Sequence, residues 1–234
     1  LGGLSGIGKT TVAQALTSRA SVRGTSIHSA IVNEFSDMRD IIQQWFPTVK
    51  PLPHDTEALE SLLEAANKKR MFVIDDVHLI SPRHAMNIKE MIQSFHCDSN
   101  TTLLLVGRTP LPFDVEFEYR QLSALDPEEA TKLLGEHLDL EHRLSIAKAL
   151  GGHPMALQLY TEGTPLPEAG EDIQNFVEQT ILQNLGDDEL AALDHYVLFP
   201  RPLAAKEVPH QDEISDLDVH ALLRWEQDNT KLEI

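Results

Sequence analysis

The spacing of hydrophobic residues changes along this chain and predicts two kinds of structure. The runs 71–74 and 101–106 are apolar over most of their length, which is typical of strands buried on both faces of a parallel sheet. Around them, apolar residues recur every three or four positions, which is a helical period. The pattern predicts a loop and helix over 5–20, helices over 37–46, 56–67 and 81–95, and further strands over 24–31 and 119–122. This alternation of strands and helices predicts an α/β domain with a parallel sheet.

After residue 126 the pattern is almost wholly helical. The segment 126–129 places a proline in the first turn and acids near the positive end of the helix dipole, as helix starts do. Glycines and prolines between 163 and 170 interrupt the pattern, as in a linker. We therefore expect divisions near residues 120 and 165. The predicted helices are 127–138, 141–150, 155–160, 172–184, 187–198 and 215–225, and 230–234 has the pattern of a short strand.

The amino-acid composition of the chain excludes several classes of protein. The chain has 234 residues, with 19 basic and 37 acidic side chains and a net charge of −18, so most of its surface repels nucleic acid. Cys97 is its single cysteine, which excludes an internal disulfide and fits a reducing, cytoplasmic location. No apolar run approaches the roughly 18–20 residues that span a bilayer. We therefore expect a cytoplasmic protein without a membrane partner.

The segment Gly3–Thr10 matches the phosphate-binding pattern G-x-x-x-x-G-K-[ST] at every fixed position. Its glycines let consecutive backbone N–H groups point toward a polyphosphate, and the helix that follows adds its positive dipole end. Lys9 would reach the outer phosphates, and the hydroxyl of Thr10 would ligate Mg²⁺. The residues expected to bind the nucleotide are Gly3, Ser5, Gly6, Ile7, Gly8, Lys9, Thr10 and Thr11.

Two strand ends carry further candidate chemistry. Asp75 and Asp76 follow the apolar run 72–74, where α/β sheets bind ligands. Asp75 would hold Mg²⁺ beside Thr10, and Asp76 could orient or deprotonate an attacking water; a solvated loop carboxylate would have the same sequence pattern. Arg108 follows the strand over 101–106 and would face the γ-phosphate, where a guanidinium matches phosphate oxygens, although a solvent-facing arginine is the alternative.

Taken in order, these motifs resemble the STAND class of P-loop ATPases, which includes the NB-ARC proteins and is related to the AAA+ ATPases. The Walker A loop corresponds to Gly3–Thr10, the Walker B strand end to Ile74-Asp75-Asp76, the sensor arginine to Arg108, and the G-x-P motif to Gly152-His153-Pro154. The resemblance implies that Pro154 packs against adenine, so that the nucleotide is ATP or ADP. It also implies a P-loop domain at 1–120, a helical lid subdomain at 121–164 and a truncated winged-helix-like domain at 165–234.

The family's fold has a buried central strand before the Walker A loop, yet only Leu1 and Gly2 precede Gly3. We therefore expect the chain to begin inside that strand, as a stub at the centre of the sheet, and to end inside the winged helix. The family's switch histidine lies further downstream, and neither His210 nor His220 stands in a matching context.

The resemblance implies an ATP/ADP-binding switch with slow Mg²⁺-dependent hydrolysis, acting in signal transduction or transcriptional regulation and coupled to self-association or a protein partner. The alternative is an AAA+ remodelling ATPase that works as a ring. A phosphoryl transferase is disfavoured because no acceptor pocket or arginine-rich lid is recognisable. DNA binding is disfavoured as well, because only four basic residues, Arg201, Lys206, Arg224 and Lys231, follow residue 170.

Overall fold

The computed structural model of the chain describes residues 1–51, 69–95, 100–108, 110–114, 116, 118–167 and 172–196, together with 203–204, 217, 224–225 and 231–233. The chain divides into two compact units, Leu1–Ala124 and Leu125–Ile234. This division lies close to the boundary predicted at residue 120, while the boundary predicted at 165 stays a prediction. None of the described helices is long and apolar enough to cross a membrane.

The first unit alternates helices and parallel strands, as the sequence pattern predicts. Its elements are α1 (Lys9–Val22), β1 (Ser26–Ile31), α2 (Met38–Trp45), β2 (Arg70–Asp75), a 3-10 turn (Val77–Leu79), α3 (Pro82–Ser94) and β3 (Thr101–Leu105). The helix predicted over 56–67 lies outside the described residues. The strands form a parallel sheet in the order β1-β2-β3. The α/β fold with a parallel sheet flanked by helices is therefore confirmed.

The position of β2 at the centre of the sheet explains why polar and apolar residues do not alternate in its sequence. All six of its residues are buried, because β1 and β3 flank it and helices cover the sheet. On one side its Phe72 and Ile74 pack against apolar residues of α2 and α3 in the main core of the unit. The buried β2 therefore fixes the position of Asp75, its last residue.

The first two residues extend this sheet beyond β3. Leu1 pairs with the end of β3, and Gly2 pairs with the segment 120–122, forming a parallel bridge to Gln121. The expected stub therefore lies between β3 and this last segment, and the predicted strand over 119–122 is reduced to one bridge. The hydrogen bonds, donor first, are Leu1 N to Leu105 O (2.7 Å), Gly107 N to Leu1 O (3.1 Å), Gly2 N to Arg120 O (2.8 Å) and Leu122 N to Gly2 O (2.8 Å).

The second unit is mainly helical. Its helices are α4 (Pro127–Ala130), which continues as a 3-10 turn (Thr131–Leu133), α5 (Leu140–Ala149), α6 (Pro154–Leu159), α7 (Ile173–Asn184) and α8 (Asp187–Tyr196). The helix predicted over 127–138 is therefore too long. The Thr131 hydroxyl donates to the Glu128 carbonyl at 2.7 Å, a local bond that competes with helix continuation, and Gly135 follows with low helix propensity.

Three short strands form an antiparallel sheet near the end of the chain. They are β4 (Leu203–Ala204), β5 (Arg224–Trp225) and β6 (Lys231–Glu233), in the order β4-β6-β5. The strand predicted over 230–234 is present, whereas the helix predicted over 215–225 is wrong at its end, where Trp225 pairs with Leu232. An aromatic residue favours such a pairing. The winged-helix assignment stays a prediction, and most of 197–234, including His210 and His220, lies outside the described residues.

Candidate nucleotide-binding site

The Gly3–Thr10 loop connects the sheet to the N-terminus of α1. Gly8 caps this helix with φ 92°, a left-handed conformation that favours glycine. A Cβ at Gly8 would meet no atom within 4 Å, so open space lies beside the first turn. Since Gly8 has no side chain, it cannot cap the amides of Lys9, Thr10 and Thr11. These amides and the helix dipole can therefore bind an anion such as a phosphate.

Two side chains secure the loop itself. Ile7 is buried, so it can contact a nucleotide only through its backbone. The Nζ of Lys9 donates to the Leu4 carbonyl at 2.7 Å, and burial lowers the pKa of Lys9, with a smaller lowering from the charge of Arg108 and opposite contributions from Asp76 and Asp75. A buried ammonium with incomplete charge compensation is suited to meet an anion.

Thr10 and Asp75 form the core of the predicted metal site. The Thr10 hydroxyl donates to Oδ2 of Asp75 at 2.9 Å, and Asp75 is buried at the end of β2. Adjacent ligands of an octahedral Mg²⁺ stand about 2.9 Å apart, given Mg–O distances of 2.0–2.1 Å, so these two oxygens fit the ion. The described residues contain no cluster of three or more His, Cys, Asp or Glu that could hold a metal.

Asp76 has an unusual backbone conformation. Its φ is 58° and its ψ is 32°, and it is the only non-glycine residue of the described chain with a positive φ. Its N–H donates to Oδ1 of Asp75 at 2.8 Å. Left-handed non-glycine residues cost about 1–3 kcal/mol and cluster at functional sites, which favours a functional role for this carboxylate.

Arg108 reaches the loop from the next strand along the sheet. It follows β3, and its guanidinium donates to the Ser5 hydroxyl at 2.7 Å. The structure thus brings Arg108 and Ser5 to the same edge of the sheet as the Thr10–Asp75 pair. Because the carboxyl ends of β2 and β3 meet at this edge, residues distant in the sequence become neighbours.

Pro154 lies in the second unit, as the first residue of α6. The ring of His153, which precedes it, accepts a hydrogen bond from the Ala156 amide at 3.3 Å and thereby caps the helix. This arrangement fixes where α6 begins. The contact of Pro154 with adenine stays a prediction.

The sequence favours a surface or supporting role for His78 over a catalytic one, and the structure places this residue in the same charged cluster. Its Nδ1 lies 3.9 Å from Oδ1 of Asp76. Burial lowers its pKa; Arg108 and Lys9 lower it further, while Asp76 and Asp75 raise it. Its position two residues after Asp76 was the available signal, but a lone histidine has no distinctive pattern.

Comparisons with known proteins agree with the geometry of the first unit. Residues 1–112 match the family model of the AAA domain, whereas no curated protein sequence matches the chain. The structure resembles a Signal Transduction ATPase with Numerous Domains (STAND) protein with a tetratricopeptide repeat sensor from Pyrococcus horikoshii. The TM-score is 0.64 at 20% identity, over 100% of this chain and 38% of that chain. At this identity the similarity concerns the fold alone.

Two further structures align at lower scores. The ORC1 protein of Aeropyrum pernix, solved in complex with DNA, has a TM-score of 0.37 at 13% identity, over 100% of this chain and 82% of that chain. The RuvB Holliday junction branch migration motor of Thermotoga maritima has a TM-score of 0.34 at 16% identity, over 100% of this chain and 83% of that chain. Neither similarity carries an argument about this chain.

Proposed function

We propose that the chain, whose residues 1–112 match the family model of the AAA domain, is an adenine-nucleotide switch that hydrolyses ATP slowly with Mg²⁺. One observation carries the proposal. The Thr10–Asp75 pair, the strained Asp76 and the Arg108–Ser5 contact all lie at one edge of one sheet. A metal site, a carboxylate and a guanidinium beside an open helix N-terminus are the components that phosphoryl transfer to water requires.

Each residue has a separate task in this proposal. The loop amides and Lys9 bind the phosphates, and Thr10 and Asp75 hold Mg²⁺, which when bound neutralises charge on the β- and γ-phosphates. Asp76 accepts a proton from the attacking water as its oxygen bonds to the γ-phosphorus and the bond to the leaving ADP oxygen breaks. Arg108 contacts the γ-phosphate and so distinguishes ATP from ADP.

Slow turnover and switching rest on two features. Asp76 has a shorter side chain than the glutamate common at this position in AAA+ members, so its carboxylate extends less far toward the attacking water. Pro154 would pack against the adenine, and ATP and ADP would favour different conformations of the chain because they make different contacts. The similar Pyrococcus horikoshii protein is described as a signal transduction ATPase, which supports a signalling or regulatory role. The chain spans 38% of that protein, so its partners and self-association are proposals as well.

The sensor role of Arg108 can be tested by affinity ratios. ATP and ADP dissociation constants would be measured for the wild type, Arg108→Ala and the control Arg39→Ala, whose side chain is exposed on α2. We expect Arg108→Ala to weaken ATP binding roughly tenfold or more while ADP binding changes little, since a charge-assisted bond to phosphate contributes about 1.5–3 kcal/mol. An unchanged ratio would exclude the sensor role. Fast turnover that rises with protein concentration would favour the ring-forming alternative.

A further inference from the structure

His78 is held in the 3-10 turn that follows Asp76 by packing on both sides. The Val77 amide donates to the Val106 carbonyl at 3.0 Å, which fastens the turn to the segment after β3. A Cβ at Gly107 would lie 3.2 Å from the backbone N of His78 and 3.5 Å from its Nδ1. The imidazole therefore lies directly against the residue that precedes Arg108. His78 thus touches the ends of β2 and β3 at once.

The Nδ1 of His78 is a buried polar atom without a hydrogen-bond partner among the described residues. Leaving such an atom unpaired costs about 1–3 kcal/mol, so its position calls for an explanation. Oδ1 of Asp76 lies 3.9 Å from it. That separation is about 1 Å longer than an N–H···O hydrogen bond.

The surroundings of His78 favour the neutral form of the imidazole. The groups that face it are two cations, Lys9 and Arg108, and two carboxylates, Asp75 and Asp76, and burial is the largest influence on its pKa, which it lowers. A neutral imidazole retains one N–H and so can donate one hydrogen bond. A donor at Nδ1 would meet the carboxylate of Asp76 and would leave the second oxygen of that carboxylate for water.

We propose that His78 is a positioning residue for hydrolysis, whose Nδ1–H donates to Asp76 and turns that carboxylate toward the attacking water. The inference rests on the proposed function, because it assigns His78 to the hydrolytic step. It gives His78 no part in nucleotide binding. The 3.9 Å separation between Nδ1 and Oδ1 of Asp76 must shorten by about 1 Å for this hydrogen bond to form.

Replacing His78 with asparagine or with glutamine tests which ring nitrogen of His78 is the hydrogen-bond donor. His78→Asn places an amide nitrogen where Nδ1 stands, His78→Gln places it where Nε2 stands, and His78→Leu removes the donor while filling the space. We expect kcat for MgATP hydrolysis to fall roughly 10–100-fold in His78→Leu, the scale seen when supporting hydrogen bonds are lost. His78→Asn should recover most of kcat and His78→Gln little of it. ATP and ADP dissociation constants should stay within about twofold, since binding does not use this bond.

A double-mutant cycle with Asp76→Asn separates positioning from general structural support. Because His78 acts through Asp76, His78→Leu should cause no further loss in the Asp76→Asn background. The exposed His142 supplies the control His142→Leu, which should leave kcat unchanged. The melting shift produced by ADP would be measured for every variant, so that a variant with an impaired fold is recognised, and the Asn and Gln variants would then be compared with each other.

Three results would overturn the inference alone: wild-type kcat in His78→Leu, equal recovery by Asn and Gln, or a full additional loss in the Asp76→Asn background. If the wild type binds MgATP but hydrolyses none, or binds no adenine nucleotide, the proposed function fails first and this inference fails with it. The two failures are therefore distinguishable in one set of measurements.

Discussion

The hydroxyl of Thr10 lies 2.9 Å from the Oδ2 of Asp75, although 65 positions separate the two residues in the sequence. This contact joins the first turn of α1 to the end of the central strand β2. The two residues meet because the strand β2 and the loop before α1 both end at the same edge of the sheet. The pair defines where Mg²⁺ and the β- and γ-phosphates would meet.

Replacing Thr10 with valine should weaken nucleotide binding only when Mg²⁺ is present. Valine keeps the shape of threonine and removes the oxygen that would ligate the ion, so MgATP affinity should fall roughly tenfold or more, in line with about 1.5–3 kcal/mol for a hydrogen bond or ligand at a charged group. Calorimetric titration with and without Mg²⁺ measures this change. Thr17→Val, in the same helix, is the control, since the Thr17 hydroxyl bonds only to the Gln14 carbonyl among the described residues. Equal losses in both variants would contradict the metal role.

Replacing Asp76 with asparagine should slow hydrolysis strongly, to a small residual rate, and leave folding and binding intact. Asparagine tolerates the left-handed backbone that Asp76 adopts, whereas alanine in that conformation costs about 1–2 kcal/mol. Single-turnover hydrolysis of bound ATP and thermal melting should therefore separate the two variants. Asp76→Asn should hydrolyse ATP at only a small residual rate with a wild-type melting temperature, and Asp76→Ala should be similarly slow and less stable. Hydrolysis at the wild-type rate in Asp76→Asn would exclude the proposed role of this carboxylate.

Stability should decrease on acidification because of His78. Its folded pKa is lowered mainly by burial, with Arg108 and Lys9 acting in the same direction and Asp76 and Asp75 opposing them. The unfolded state therefore takes up the proton first, near pH 6.5, and stability is lost as the pH falls below that value, until the folded state is also protonated. Urea unfolding at a series of pH values should show a smaller loss in His78→Asn than in the wild type or in His142→Asn. The same loss in all three proteins would contradict this prediction.

Replacing Gly152 with alanine should destabilise the second unit strongly. Gly152 has φ 65°, and a Cβ there would lie 2.0 Å from the Leu125 carbonyl oxygen, while the Leu125 amide donates to the Gly152 carbonyl at 2.9 Å. Gly163→Ala is the matched control, because Gly163 has φ 96° but a Cβ there meets no atom within 4 Å. The free energy of unfolding of the control should fall by about 1–2 kcal/mol because of the left-handed backbone alone. That of Gly152→Ala should fall further. Similar unfolding free energies for the two variants would show that the close contact is unimportant.

The sequence predicted the parts of the site that depend on local patterns. The Gly3–Thr10 loop, the strand ends at Asp75 and Arg108, and the parallel sheet follow from residue spacing and from the rule that parallel strands end at one edge. The resemblance predicted a stub at the centre of the sheet, but the pairing of Leu1–Gly2 with β3 and with the segment 120–122 was not predicted, because hydrogen bonds between distant segments leave no local pattern.

Other features could not be predicted because tertiary context decides them. The left-handed backbone of Asp76 and the packing of His78 on Gly107 arise where β2 and β3 end together. The early end of α4 reflects a side-chain bond at Thr131 that helical spacing alone does not reveal, and Arg224–Trp225 is a strand because it has a partner, β6. Hydrophobic periodicity indicates which face of a helix or strand is buried, but it does not indicate which other element packs against that face.

The most direct test of the central claim is to incubate the purified chain with MgATP, remove free nucleotide, denature the protein and identify the retained nucleotide by chromatography. The account predicts about one ADP retained per wild-type chain and mainly ATP retained by Asp76→Asn, since binding is common to both and hydrolysis requires the carboxylate. Retention of neither nucleotide by the wild type, or of ATP in equal proportion by both proteins, would contradict it.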